Sequence, residues 1–127
     1  MLIMQRVYAS FASGVLLLGL VHTLSTPRAL TPQALWFASG GLTMLLTGAL
    51  NLLNRAYGAA APGLRRTCIG TNVVMTAFAA LSGVVGGATA PQLVVVVGLF
   101  AGTTALGLTR HALHPTVPPS VFERKGA

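Results

Sequence analysis

His22 is the only acidic or basic side chain well inside an apolar run of this sequence, about one turn from the end of that run. A histidine in such a place can relay protons, ligate haem or hydrogen-bond a quinone. At the edge of the run it can equally rest on a carbonyl or a water. Haem held jointly with His111 or His114 is ruled out by distance, because those two follow the last apolar run at the opposite end. They lie three residues apart, but Pro115 follows at once and no carboxylate or thiol stands nearby in sequence to complete a metal site. Cys68 is the single cysteine, which excludes an intrachain disulfide and a multi-cysteine metal site. A buried free thiol behaves as a small hydrophobe. No metal and no other cofactor is expected.

The absences narrow the chemistry further. Glu123 is the only acid and lies near the C-terminus, outside every apolar run. Carboxylate-bridged metal centres, acid–base pairs, acidic selectivity rings and efflux driven by a membrane glutamate all need a carboxylate that is not there. No acid can orient a serine–histidine pair, and no lysine within an apolar run can hold a Schiff base. The inventory leans against an enzyme.

Two sets of uncharged polar residues remain. Ser39, Thr43, Thr47 and Asn51 recur every fourth residue. On a helix each step advances the direction by about 40°, so they form one slowly drifting stripe that Arg55 continues. Such a stripe either bonds helices together or walls a polar path. Asn51 and Asn72 share one end with Thr109, Arg110 and His111, beside Arg55, Arg65 and Arg66. That grouping reads either as two satisfied helix-end amides beside a solvated basic collar or as a pocket for a lipid phosphate, with Arg55, Arg65, Arg66 and Arg110 as the anionic-lipid contacts.

The elements that must position these residues are four helices at about residues 7–24, 35–53, 68–87 and 92–110, each an apolar run free of charge up to Arg110 at the end of the last. Each approaches the roughly 20 residues with which a helix crosses a bilayer. Continuous apolarity points to helices; barrel strands would alternate. Arg6 before the first run resembles the start of a secretory signal, but residues 22–30 read HTLSTPRAL with no small-x-small cleavage site, so the run is taken as a retained helix. Only 7% of residues are charged and the mean hydropathy is +0.77, too few charges to cover an aqueous surface.

The net charge is +7. The basic residues flank the runs rather than forming a stripe on one face, which fits anionic headgroups and disfavours nucleic acid. Arg6, Arg55, Arg65, Arg66, Arg110, Arg124 and Lys125 fall on one side and Arg28 alone on the other. The positive-inside rule makes the first side cytoplasmic, with both termini there. The connections follow: a short outer loop at 25–34, a basic inner loop at 54–66 and a tight outer turn at 86–91.

Small residues mark where helices can approach. Gly98 and Gly102 form a GxxxG, and Ala79, Gly83 and Gly87 recur at four-residue spacing. The expected fold is an all-α, four-helix transmembrane bundle over residues 1–114, with a Pro-rich basic tail at 115–127. The expected function is an accessory, assembly or scaffold subunit, associated with copies of itself or a larger complex. Two alternatives are an oligomeric carrier for a small neutral or anionic solute lined by the Ser39–Asn51 stripe, and a redox or lipid-modifying protein built on His22. Seven arginines against one lysine suggest a GC-rich genome and a bacterial inner membrane.

Overall fold

A computed structural model describes residues 2–113. The tail at 115–127, His114, Glu123, Arg124 and Lys125 lie outside the described residues. The chain is all-helical: α1 (Leu2–Leu24), α2 (Pro32–Tyr57), α3 (Pro62–Val85) and α4 (Ala90–Leu108), followed by a 3-10 turn at Arg110–Ala112. Each of the four is long and apolar enough to cross a membrane. Their exteriors carry large apolar side chains, among them Leu17, Leu46, Phe78, Leu81 and Val94.

The helix ends follow local chemistry. Thr31 caps α2 by accepting from the Ala34 N–H at 3.2 Å, and Pro32 occupies the first turn, where its missing N–H costs nothing. Thr89 and Gln92 form a capping box on α4. Between α3 and α4 the chain reverses at Gly87, whose φ of +70° suits glycine.

All four helices begin earlier than the apolar runs, and α2 also ends later. Residues 2–6, 54–57 and 62–67 are helical, so the inner connection shrinks from residues 54–66 to the four residues between Tyr57 and Pro62. Apolarity marks the part of a helix that avoids water, whereas backbone hydrogen bonding continues past it as long as the side chains can reach solvent. At the other end α3 stops at Val85, which leaves Gly87 in the turn instead of on a helix face.

Helix α1 packs along α2 and α3 along α4; the two hairpins meet chiefly through α1 and α4, and more sparsely through α2 and α3. The buried residues of α1 are Gln5, Tyr8, Ala12, Val15 and Gly19. They alternate three and four residues apart, the heptad spacing of left-handed helix pairing. On α2 the buried small residues Ala34, Gly41 and Gly48 stand seven apart. The two sets mesh closely: a Cβ at Gly19 would lie 2.7 Å from the Leu45 nitrogen, and one at Gly48 would lie 2.6 Å from Leu16 Cγ. Midway along the bundle Val15, Met75, Ala79 and Phe100 form an apolar core, with Met44, Val96 and Leu99 against it.

The α1–α2 seam predicts a stability contrast. Gly48→Leu is expected to lower the thermal midpoint in detergent by about 5–10 °C, as overpacking costs roughly 1–3 kcal/mol. At Gly70 nothing lies within 4 Å of the Cβ position, so Gly70→Leu is expected to leave the midpoint unchanged or higher. Circular dichroism melts of both variants check this.

Candidate functional site

Tyr8 of α1, Asn51 and Asn54 of α2, and Cys68 and Asn72 of α3 meet in one polar layer, and every one of them is fully buried. The Tyr8 hydroxyl donates to Asn51 Oδ1 at 2.9 Å and accepts from Asn54 Nδ2 at 2.8 Å. Asn51 and Asn72 exchange two amide hydrogen bonds, each 2.8 Å. Asn51 Nδ2 also donates to the Thr47 carbonyl at 2.8 Å, and the Cys68 thiol donates to Asn51 Oδ1 at 3.4 Å. Asn51 therefore sits at the centre and touches groups from three helices. The fourth helix closes the layer with Gly107, where a Cβ would stand 3.3 Å from the Tyr8 hydroxyl.

A lid and two pins close the layer at the end where α1 begins. Ala112 and Leu113 pack on Tyr8, and Gln5 Nε2 donates to the Leu113 carbonyl at 2.9 Å. Arg55 Nε donates to the Gln5 carbonyl at 3.0 Å, tying α2 to α1. Arg65 reaches across from α3 to the last carbonyls of α4, donating to Gly107 at 3.3 Å and Leu108 at 2.6 Å. A cation on those carbonyls also complements the helix dipole. One atom is left over: Asn54 Oδ1, enclosed beside Gly58, has no hydrogen-bond partner among the described residues.

The stripe of every-fourth residues divides. Ser39 and Thr43 are exposed, and Thr47 and Asn51 are buried. The 40° drift explains it: over three steps the direction turns about 120°, from the outside of the bundle to its interior. Ser39, Thr43 and Thr47 donate their hydroxyls to carbonyls of their own helix at Trp36, Ser39 and Thr43, at 2.7–2.8 Å. Only Asn51 bonds across to other helices. A hydroxyl satisfied in this way is tolerated against an apolar environment.

His22 lies at the far end of α1, half-buried, with its ring stacked on Phe37 at 3.7 Å between centroids. Its Nε2 stands 3.4 Å from where a Cβ at Gly40 would sit. It is separate from the Tyr8–Asn51 layer. Of the two readings of Asn51 and Asn72, the satisfied amides fit the geometry: both turn inward and pair with each other. Arg66, Arg110 and His111 point outward. Among the predicted packing glycines, Gly102 meets Phe11 and Gly83 meets Leu93, whereas the Gly98 Cβ position faces open space.

The sequence reading missed Gln5, Tyr8 and Asn54 as members of the layer. Taking the first segment to start at residue 7 set Gln5 aside and left Tyr8 as one more member of the apolar run. The heptad series 5, 8, 12, 15, 19 was present in the sequence and would have placed Gln5 and Tyr8 inward. Searches against protein-family models, curated proteins and solved structures find no match to this chain.

Cys68 provides a reporter for the layer, as the single thiol of the chain and fully buried. Asn51→Ala strands Tyr8 and Asn72 without their partner, a loss of about 2 kcal/mol. Maleimide labelling of Cys68 in detergent is expected to speed up about 30-fold through easier opening. Ser39→Ala, which removes a bond within one helix turn, is expected to change the rate less than about twofold.

Proposed function

We propose that the chain is a multi-pass membrane protein acting as a non-enzymatic accessory or assembly subunit of a membrane complex, through the outward face of α4. The observation that carries this reading is a second heptad-spaced row. Val94, Gly98, Ala101, Ala105 and Leu108 recur at intervals of four, three, four and three residues, and all are exposed. It has the spacing and small-residue character with which α1 and α2 already pack on each other. Without water between helices, close backbone contact at such rows is what drives association.

The interior supports the same conclusion. Apart from Asn54 Oδ1, the polar groups of the Tyr8–Asn51–Asn72 layer are spent on one another, which leaves recognition to the outside. Arg6, Arg55, Arg65, Arg66 and Arg110 gather at one end of the bundle and Arg28 stands at the other. Under the positive-inside rule this supports an orientation with the described ends, Leu2 and Leu113, in the cytoplasm. A bacterial inner membrane fits the arginine-rich composition.

The two glycines of the GxxxG separate assembly from folding. Gly98→Leu is expected to leave the thermal midpoint and Cys68 protection unchanged while removing the partner from gently extracted complexes, as read by native mass spectrometry. Gly102→Leu drives into Phe11 and is expected to lower the midpoint by about 5 °C or more. Full partner stoichiometry in the Gly98→Leu protein would sink the assembly reading; a homo-oligomer broken by Gly98→Leu would identify the partner as a second copy.

A further inference from the structure

The arginines at the basic end are not equivalent. Arg55 and Arg65 are pins whose guanidinium groups hold carbonyls of neighbouring helices. Arg6, Arg66 and Arg110 are exposed, and their side chains make no hydrogen bond to the described residues. Each hairpin thus has one pinned and at least one outward arginine. The α3–α4 corner is the more strongly charged. Arg65 lays its charge on Leu108, two residues before Arg110, and Arg66 is its neighbour in the chain. No acidic residue occurs between Leu2 and Leu113 to neutralise these groups.

We propose that Arg65, Arg66 and Arg110 form a binding site for the phosphate headgroup of an anionic phospholipid. Guanidinium forks bind phosphate oxygens in pairs, and Arg65, held in place by α4, provides a positioned charge beside two arginines whose side chains are free. The surface next to the corner supplies what an acyl chain needs. Arg66, Gly70, Val73 and Ala77 recur at four, three and four residues on one exposed face of α3. With nothing within 4 Å of the Gly70 Cβ position, this face is an open apolar track on the same side of α3 as Arg66. A free phosphate or a nucleic acid would use the arginines and have no use for that track. The proposal rests on the membrane placement above, which incorporation into phosphatidylcholine vesicles tests separately.

The experiment is a native mass spectrometry titration of the full chain in detergent with phosphatidylglycerol or with phosphatidylcholine of the same acyl chains. At about fivefold per arginine, the wild-type protein is expected to prefer phosphatidylglycerol on the order of 100-fold. Arg66→Gln and Arg110→Gln should each reduce the preference about fivefold, and the double variant about 25-fold, to what Arg65 alone sustains. Arg28→Gln, at the opposite end, should retain it. Unchanged Cys68 protection shows that the variants are folded, and each single variant tests the site should the double not fold. No preference in the wild type, its persistence in both single variants, or an equal loss in Arg28→Gln would overturn the proposal. Displacement of phosphatidylglycerol by inorganic phosphate, but not by chloride of equal ionic strength, would also overturn it, by showing that the corner binds phosphate without a lipid.

Discussion

The reciprocal amide pair of Asn51 and Asn72 is the contact on which the rest of the bundle depends. In an apolar interior an amide has four hydrogen-bonding capacities to satisfy and few places to do so. The two side chains satisfy much of each other only at one register of α2 against α3. Sliding either helix by one turn would strand both amides, and a slip of α2 would also strand the Tyr8 hydroxyl that donates to Asn51. The apolar contacts between α2 and α3 are sparse and would tolerate such a slip. The polar layer therefore sets the register, and the apolar core near Val15 and Phe100 then fills the space that register defines.

The α1–α2 hairpin follows a different rule. Its helices approach so closely at Gly19, Gly41 and Gly48 that backbone atoms of one meet the positions where side chains of the other would stand. Shape fixes this pair along the seam, and hydrogen bonds from Tyr8, Asn54 and Arg55 join it only at the basic end. The division is physical: where small residues line both helices, dispersion and steric fit suffice, and where they do not, hydrogen bonds must choose the neighbour. Tyr8 joins the two schemes, since the seam on α1 carries it inward and its hydroxyl reaches both asparagines of α2.

Arginine serves two purposes at the basic end. In Arg55 and Arg65 the cation is used inward, on backbone carbonyls that helix ends leave without partners. In Arg6, Arg66 and Arg110 it is left outward. A count of basic residues does not separate these roles, because the difference lies in whether a neighbouring helix end is within reach of the side chain.

The sequence by itself determined the class, the number of helices and their approximate positions, because charge-free runs of this length have few other solutions. It also held more of the site than apolarity displays. A serine or threonine can satisfy itself on its own helix, as Ser39 and Thr43 do, but an asparagine cannot, so Asn51, Asn54 and Asn72 were bound to seek partners. The heptad on α1 pointed Gln5 and Tyr8 the same way. Only the tertiary structure decided which partners those were, that the polar stripe turns from outside to inside along α2, and that Gly102 meets Phe11 whereas Gly98, one turn away, meets nothing. Those outcomes depend on the rotation of each helix about its axis and on its distance from its neighbours. Local sequence leaves both free; packing four helices together fixes them at once.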